Sequence, residues 1–202
     1  MIPILVCTVT GKSLPVLEAS IKAYCPNVKL IAHSVERSTF GQSYNAAMEQ
    51  AFRDYDEIII ANDDIVLTPS SYNLLLEDVS HLKSINNSKI GVVASRSDFV
   101  RPFQNIKNNL PDNVFPTLYV SPLFAWVSKE AFNTAKFSET NWFSDDMMCV
   151  DLNYAGFTNY VSRSYVHHAG SQTIGTDNWE MYLEAIDWIE KNRPDRLGIF
   201  KR

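Results

Sequence analysis

Two pairs of adjacent aspartates and one pair of adjacent histidines are the residues of this chain best suited to chemistry. The first pair lies in EIIIANDDIVLTP, residues 57–69, where an apolar run stops at Asn62-Asp63-Asp64. A short aliphatic run bounded by polar residues reads as a central strand, so both carboxylates emerge at its carboxyl end, where open α/β sheets bind ligands. Adjacent acids there repel each other unless a cation or hydrogen-bond donors lie between them, which suits a divalent ion holding a phosphorylated substrate. The plainer alternative is a solvated Asn-Asp turn ending the strand, with Thr68-Pro69-Ser70 capping the next helix. The second pair, Asp145-Asp146, sits in WFSDDMMCVDLNYAGF, residues 142–157, just ahead of an amphipathic stretch. A helix amino terminus keeps such carboxylates ionised, although acids are common at helix starts for that reason alone. His167-His168 follow a β-branched, aromatic segment, so strand alternation turns one imidazole inward and one outward. Together these groups offer oxygen and nitrogen ligands to Mn²⁺ or Mg²⁺, with one carboxylate to spare as a base.

The elements that must position these groups alternate along the chain. Strands are expected at 2–9, 28–35 and 57–61, at 89–95, and once or twice within 117–128. Helices are expected over LPVLEASIKAY, with Ser13 as its cap, over FGQSYNAAMEQAFRDY, and over SYNLLLEDVSHLKSI. This β-α-β-α-β-α-β order specifies an α/β fold with a mostly parallel, Rossmann-like central sheet, helices on both faces and right-handed crossovers. Residues 101–117, with three prolines and four asparagines, read as a long surface loop of the kind that carries substrate contacts. The helical segment DNWEMYLEAIDWIEKN near the end offers Trp179, Tyr182, Leu183, Ile186 and Ile189 for docking on its own sheet, with packing as a lid or self-association as alternatives.

Composition excludes several classes. A chain of 202 residues with 46% hydrophobic residues fills one domain, 1–202, with its own core. It divides into a first part (about 1–100), a middle part (about 101–175) and a C-terminal helix and tail (176–202). A net charge of −5, with no dense Lys/Arg block inside the domain, argues against nucleic acid as partner. Only residues 191–202 are basic, with five Lys/Arg against one Asp, expected as a solvated end or as a cover over a pyrophosphate. Cys7, Cys25 and Cys149 are widely spaced and form neither a disulfide framework nor a zinc motif. MIPILVCTVT lacks the pattern of a signal peptide and no apolar run is long enough to span a membrane, so a cytoplasmic location is expected. Neither GxGxxG nor GxxxxGK[ST] is present, so phosphate must be held another way.

In order, these motifs resemble the GT-A-fold glycosyltransferases, especially the family-2-like inverting group built around a DxD motif. The resemblance runs from residue 2 to 173. Asn62-Asp63-Asp64 stands where that family has the DxD that binds metal and the nucleotide diphosphate; with Asn62 replacing the first acid, Asp64 becomes the direct metal ligand. Trp142-Phe143-Ser144-Asp145-Asp146 followed by Ala155-Gly156-Phe157 is similar to the acidic pair and Gly-aromatic turn that supply the catalytic base. Ungapped, Asp145 matches the base and Ser144 replaces the usual Glu; a one-residue gap makes it Asp146. His168-Ala169-Gly170-Ser171-Gln172-Thr173 looks like the family's later metal contact, so the implied metal set is Asp64, His168 and Asn62.

The resemblance further implies that Thr8, Val9, Thr10, Glu36, Arg37, Asn45, Asn62, Asp63 and Asp64 contact the donor, with Phe40 to Ala47 matching a helix start of the family. It also implies a hexosyl transfer from a nucleotide-diphosphate sugar, UDP-linked by preference, to a glycan or other hydroxyl acceptor with inversion, assisted by Mn²⁺ or Mg²⁺. Trp142 and Phe143, beside the acidic pair, are the acceptor-stacking candidates. Two other readings remain. A sugar nucleotidyltransferase needs a Gly-rich basic loop after strand one, and TVTGKSLP has only Gly11 and Lys12. A non-catalytic nucleotide-sugar or carbohydrate-binding protein is compatible with Asn62 and Ser144 standing in for acids.

Overall fold

In the computed structural model, residues 1–35, 38–85, 89–169 and 178–201 are described. Strands β1 (Ile4–Thr8), β2 (Leu30–Ser34) and β3 (Glu57–Ala61) pair in parallel, with β1 in the middle. Strands β4 (Ile65–Leu67), β5 (Lys89–Ser97), β6 (Phe115–Thr117), β7 (Phe124–Ser128) and β8 (Phe157–His168) complete one sheet. Its order is β2-β1-β3-β7-β5-β8-β4, with β6 also paired to β8. Because β5 and β8 are parallel while β7 is antiparallel to both β3 and β5, β1, β2, β3, β5 and β8 all point one way. The mostly parallel sheet expected from sequence is therefore present. Strands β4, β6 and β7 run against it.

Alternation along β1 and β3 explains why residues 4–7 and 58–61 are unbroken apolar runs. Leu5, Ile58 and Ile60 enter one core with Ala125, Val127, Met48, Phe52, Phe132 and Met148, while Ile4, Val6 and Ile59 enter a second with Phe124, Trp126, Leu17, Leu75 and Val79. Helices α2 (Phe40–Ala51), α4 (Lys129–Thr134) and α5 (Ser144–Tyr154) cover the first face; α1 (Leu14–Tyr24) and α3 (Ser71–Ile85) cover the second. A strand buried on both faces has no polar side to alternate with. Helix α2 begins with a capping box, Thr39 Oγ1 accepting from Gln42 N–H and Gln42 Oε1 accepting from Thr39 N–H. The expected Ser13 cap of α1 is not made by its side chain; Pro15 in the first turn supplies the start instead.

The chain's end docks differently from the expectation. Helix α6 (Trp179–Asn192) buries Ile186 and Ile189 against Met147 and Val150 of α5 and Phe200 of α7 (Leu197–Phe200), not against the sheet. The basic tail is drawn in by one carboxylate. Arg193 donates through Nη2 to Asp151 Oδ1 at 2.7 Å and through Nη1 to Oδ2, and Arg196 Nε reaches Asp151 at 3.1 Å. Asp151 accordingly has a lowered pKa: burial pushes it up, and the two guanidinium groups outweigh that. No helix of the described residues is long and apolar enough to cross a membrane.

Candidate active site

The carboxyl ends of β1, β3, β5 and β8 meet at one edge of the sheet, and the candidate residues gather there. Beyond Ala61 the chain turns through residues 62–64 and returns as β4, which pairs antiparallel with the end of β8 so that Ile65 faces His168. That register brings Asp64 to His168. Their contact, Asp64 Oδ1 to His168 Nε2, is 3.1 Å, and both side chains are about nine-tenths buried. The neighbouring Asp63 turns to the other side and accepts from Thr8 Oγ1 at 2.5 Å. Asn62 continues the ladder, its N–H donating to Leu123 O at 2.9 Å.

Both histidines are held by residues just past β5. Strand alternation divides them as expected: the His167 side chain is 53% exposed and that of His168 10%. His167 Nδ1–H donates to Asp98 Oδ2 at 2.5 Å, and His168 Nδ1–H donates to the Phe99 carbonyl at 2.7 Å. A carbonyl only accepts, so Nδ1 of His168 carries a proton and Nε2 is the atom turned to Asp64. Asp98 also accepts the His168 backbone N–H at 3.0 Å. Burial lowers the His168 pKa, but the contacts to Asp64 and Phe99 outweigh it and the net direction is upward.

This arrangement fits a divalent ion in one limited sense. Among the described residues no group of three or more His, Cys, Asp and Glu forms a cage. A Mg²⁺-type ion, however, is ordinarily held by one or two protein groups plus substrate phosphates and water. Asp64 Oδ1 and His168 Nε2 face each other, and the Nδ1–H bond to a backbone carbonyl is the outer contact that orients a metal-binding imidazole. A cation would take the place of the proton shared between them.

The second acid pair begins α5. Phe143, immediately before it, has φ 61°, a left-handed conformation that costs a bulky residue about 1–3 kcal/mol. Its ring is packed 5.8 Å from Tyr182 and 5.1 Å from Phe200, so the C-terminal helices hold the turn that starts α5. Phe143 thus anchors α6 and α7, a different role from the acceptor face expected of it. Trp142 is half-buried, its ring 6.3 Å from that of Phe143.

Asp145 and Asp146 converge on a residue that sequence reasoning missed. Arg101 donates through Nη2 to Asp146 Oδ2 at 3.0 Å and to Asp145 Oδ2 at 3.2 Å, and through Nη1 to Asp146 Oδ1. Asp146 is 7% exposed and Asp145 19%. Burial, then the adjacent Asp146 charge, push the Asp145 pKa up to about 7 against the pull of Arg101 and of backbone N–H groups at the helix start. Ser144, where the resemblance places a Glu, is buried with Oγ donating to Ser138 O at 2.7 Å. Helix α2 presses on it there: a Cβ on Gly41 would lie 1.7 Å from Ser138 O and 2.5 Å from Ser144 Oγ. No larger residue fits.

The remaining candidates separate into three groups. Thr8 ends β1 beside Asp63, and the turn after it exposes Val9 and Thr10, with Gly11 N–H donating back to Thr8 Oγ1 at 3.0 Å. Asn45 has backbone partners. Its Nδ2 donates to Phe137 O at 2.9 Å and its Oδ1 accepts Phe137 N–H at 3.1 Å, so it clamps α2 to the 135–143 segment, a structural engagement beside the donor contact that the resemblance implies. Glu36, Arg37 and residues 170–173 of the His168 motif lie outside the described residues.

No protein-family model matches the sequence, and no curated protein matches it. Solved structures do match in fold. Staphylococcus aureus TarS, residues 1–349, in complex with UDP-GlcNAc, superposes with a TM-score of 0.58 at 13% identity over 94% of this chain and 66% of that one. A197 of STIV gives 0.58 at 12% identity over 83% and 85%. A mutant Drosophila β-1,4-galactosyltransferase 7 in complex with manganese, UDP-Gal and xylobiose gives 0.52 at 15% identity over 89% and 73%. The chain has a GT-A-like fold, shared with these structures.

Proposed function

We propose that the protein is a metal-dependent glycosyltransferase that moves a sugar from a nucleotide-diphosphate donor, UDP-linked by preference, to an acceptor hydroxyl with inversion. One observation carries the reading: the Asp64–His168 pair and the acid pair Asp145-Asp146 are tied to one short stretch, residues 98–101, at the ligand-binding edge of a fold shared with TarS, whose structure holds UDP-GlcNAc. Thr8, Val9, Thr10, Asn62 and Asp63 border the same edge and would meet the donor; Glu36 and Arg37, outside the described residues, follow β2 in sequence and are proposed as donor contacts with them. Asp64 and His168 would hold Mn²⁺ or Mg²⁺. When bound, that ion supplies charge neutralisation to the departing diphosphate.

Asp145 is the base in this reading, and Asp146 is not. Asp146 has both oxygens engaged by Arg101, whereas Asp145 is the more exposed of the two. An ionised Asp145 accepts the acceptor's hydroxyl proton while that oxygen bonds to the anomeric carbon. The bond from the anomeric carbon to the diphosphate oxygen breaks, and its electron pair leaves with the nucleotide. A base whose pKa stands near the working pH balances availability of the ionised form against basicity, and such a group contributes about 10²- to 10⁴-fold in rate. Trp142, half-buried beside the pair, offers a ring face to the acceptor.

The test is thermal stability with UDP-, GDP-, CMP- and dTDP-sugars, each with Mn²⁺, with Mg²⁺ and with chelator, followed by assay of nucleotide release. A ligand bound by the native state raises the melting temperature by mass action. A metal-dependent rise with one nucleotide class, together with acceptor-dependent release, is expected. Metal-dependent binding without release by any acceptor supports the non-catalytic binding reading, and no response at all overturns both.

A further inference from the structure

Among the described residues Arg101 is the one strong cation at the acid pair, and its placement is more constrained than a chance surface contact. Its guanidinium forks onto both oxygens of Asp146 and shares Nη2 with Asp145, a planar geometry that a lysine ammonium does not reproduce. The stretch that delivers it is pinned at both ends. On one side Asp98 accepts from His167 and from the His168 N–H, and the Phe99 carbonyl accepts from His168 Nδ1–H. On the other, the fully buried Gln104 donates to Ser95 O at 2.9 Å and Ser121 O at 3.1 Å and accepts Ser121 N–H.

We propose that Arg101 is a positioning residue: it fixes Asp146 as a spent counter-charge and turns Asp145 toward the reacting hydroxyl while keeping it able to ionise. This rests on the reading of Asp145 as the base. Two adjacent carboxylates in a poorly solvated site do not both ionise without a cation between them. The charged and titratable groups around the acid pair are Cys149 on α5, Arg101 from the stretch after β5, and, on the Asp146 side, Tyr119 from the segment before β7. Of these only Arg101 favours the ionised form. The same stretch that locates Arg101 also sets the tautomer of His168, so the two acidic centres are built to a common frame.

The experiment is a pH titration of protein carrying ¹³C at the Asp carboxyl carbons, with the Asp145 signal assigned by its loss in Asp145→Asn. Arg101→Lys keeps a charge beside Asp146 and is expected to fold; Arg101→Met removes it. The Asp145 midpoint is expected to rise in both variants, by about one pH unit or more for Met and by less for Lys. In the transfer assay Arg101→Lys is expected to lose about tenfold or more in kcat with donor KM held, because orientation and not donor binding is disturbed. An Asp145 midpoint that stays put in folded Arg101→Lys, with kcat unchanged, overturns the assignment even if the Met variant does not fold. The titration needs no sugar donor. A moved midpoint in a protein that turns over no nucleotide sugar upholds the grip of Arg101 on the acid pair and overturns only the transferase reading.

Discussion

The same dipeptide, Asp-Asp, occurs at two places in this site and does opposite things. At residues 63–64 it lies in the turn between β3 and β4, and the carboxylates part company: Asp63 goes to Thr8 of β1, Asp64 to His168 of β8. At residues 145–146 it opens a helix, and both carboxylates turn to one guanidinium. Divergence gives each acid its own donor. Convergence leaves two negative charges sharing one cation, and burial with that repulsion raises Asp145 to about 7. Backbone geometry, more than residue identity, therefore decides which acid pair diverges to separate partners and which converges on one guanidinium.

The largest effect expected on breaking this contrast comes from Asp145→Asn. Removing the base should cost about 10²- to 10⁴-fold in kcat while UDP still raises the melting temperature in the presence of Mn²⁺. Turnover at the wild-type rate would take the base role from Asp145. Asp146→Asn is the informative partner: it leaves Arg101 with one carboxylate instead of two, so the Asp145 carboxyl should titrate lower, and the acid limb of the rate profile should move down with it.

The strand-end pair should respond in the other observable. Asp64→Ala is expected to abolish the metal-dependent part of the UDP response, which at ligand concentrations about 100-fold above Kd amounts to about 2.7 kcal/mol of apparent stability. His168→Ala should act in the same direction. A full Mn²⁺-dependent response in Asp64→Ala would show that this pair is not where the cation sits.

A smaller effect tests the charge crowding itself. Asp145 has a folded-state pKa above its unfolded value, so its carboxyl contributes stability that is present at low pH and is lost as pH rises through about 7. Asparagine carries no such dependence. The melting temperature of Asp145→Asn relative to wild type should therefore increase between pH 5 and pH 8. A difference that is flat across that window would mean that Asp145 ionises without penalty.

The contrast also marks what could be read from the sequence. The parallel framework was legible because strands buried on both faces, such as 58–61, are unbroken apolar runs, and because helices such as Ser71–Ile85 keep a clear period. The insertion of β7 between β3 and β5 was not, since strand order depends on pairing between distant segments. The return strand Ile65–Leu67 is three residues long, too short to carry a period, yet its register with β8 is what sets Asp64 against His168. Arg101 was hidden for a related reason: it sits in a Pro- and Asn-rich loop and meets its partners 44 and 45 residues later in the chain. Asn45 shows the opposite case, because a polar residue in a promising motif is also bound to the Phe137 backbone.

The smallest effect concerns the acid that the strand turns toward β1. Thr8 Oγ1 donates to Asp63 and accepts from Gly11 N–H, so Thr8→Val keeps the shape of the side chain and deletes both bonds. Asp63 is only partly buried, so water can replace part of the loss, and a cost of about 1 kcal/mol is expected, or about 2–4 °C in melting temperature. Gly11, at φ 68°, closes the turn that carries Val9 and Thr10, and loosening it should weaken UDP binding several-fold without altering the metal requirement. That pattern separates the two aspartates of the strand-end pair: Asp63 acts through the donor-side turn and Asp64 through the cation. Loss of the metal requirement in Thr8→Val would mean instead that Asp63 and Asp64 act as one ligand set, and the divergence of their side chains would then have no functional weight.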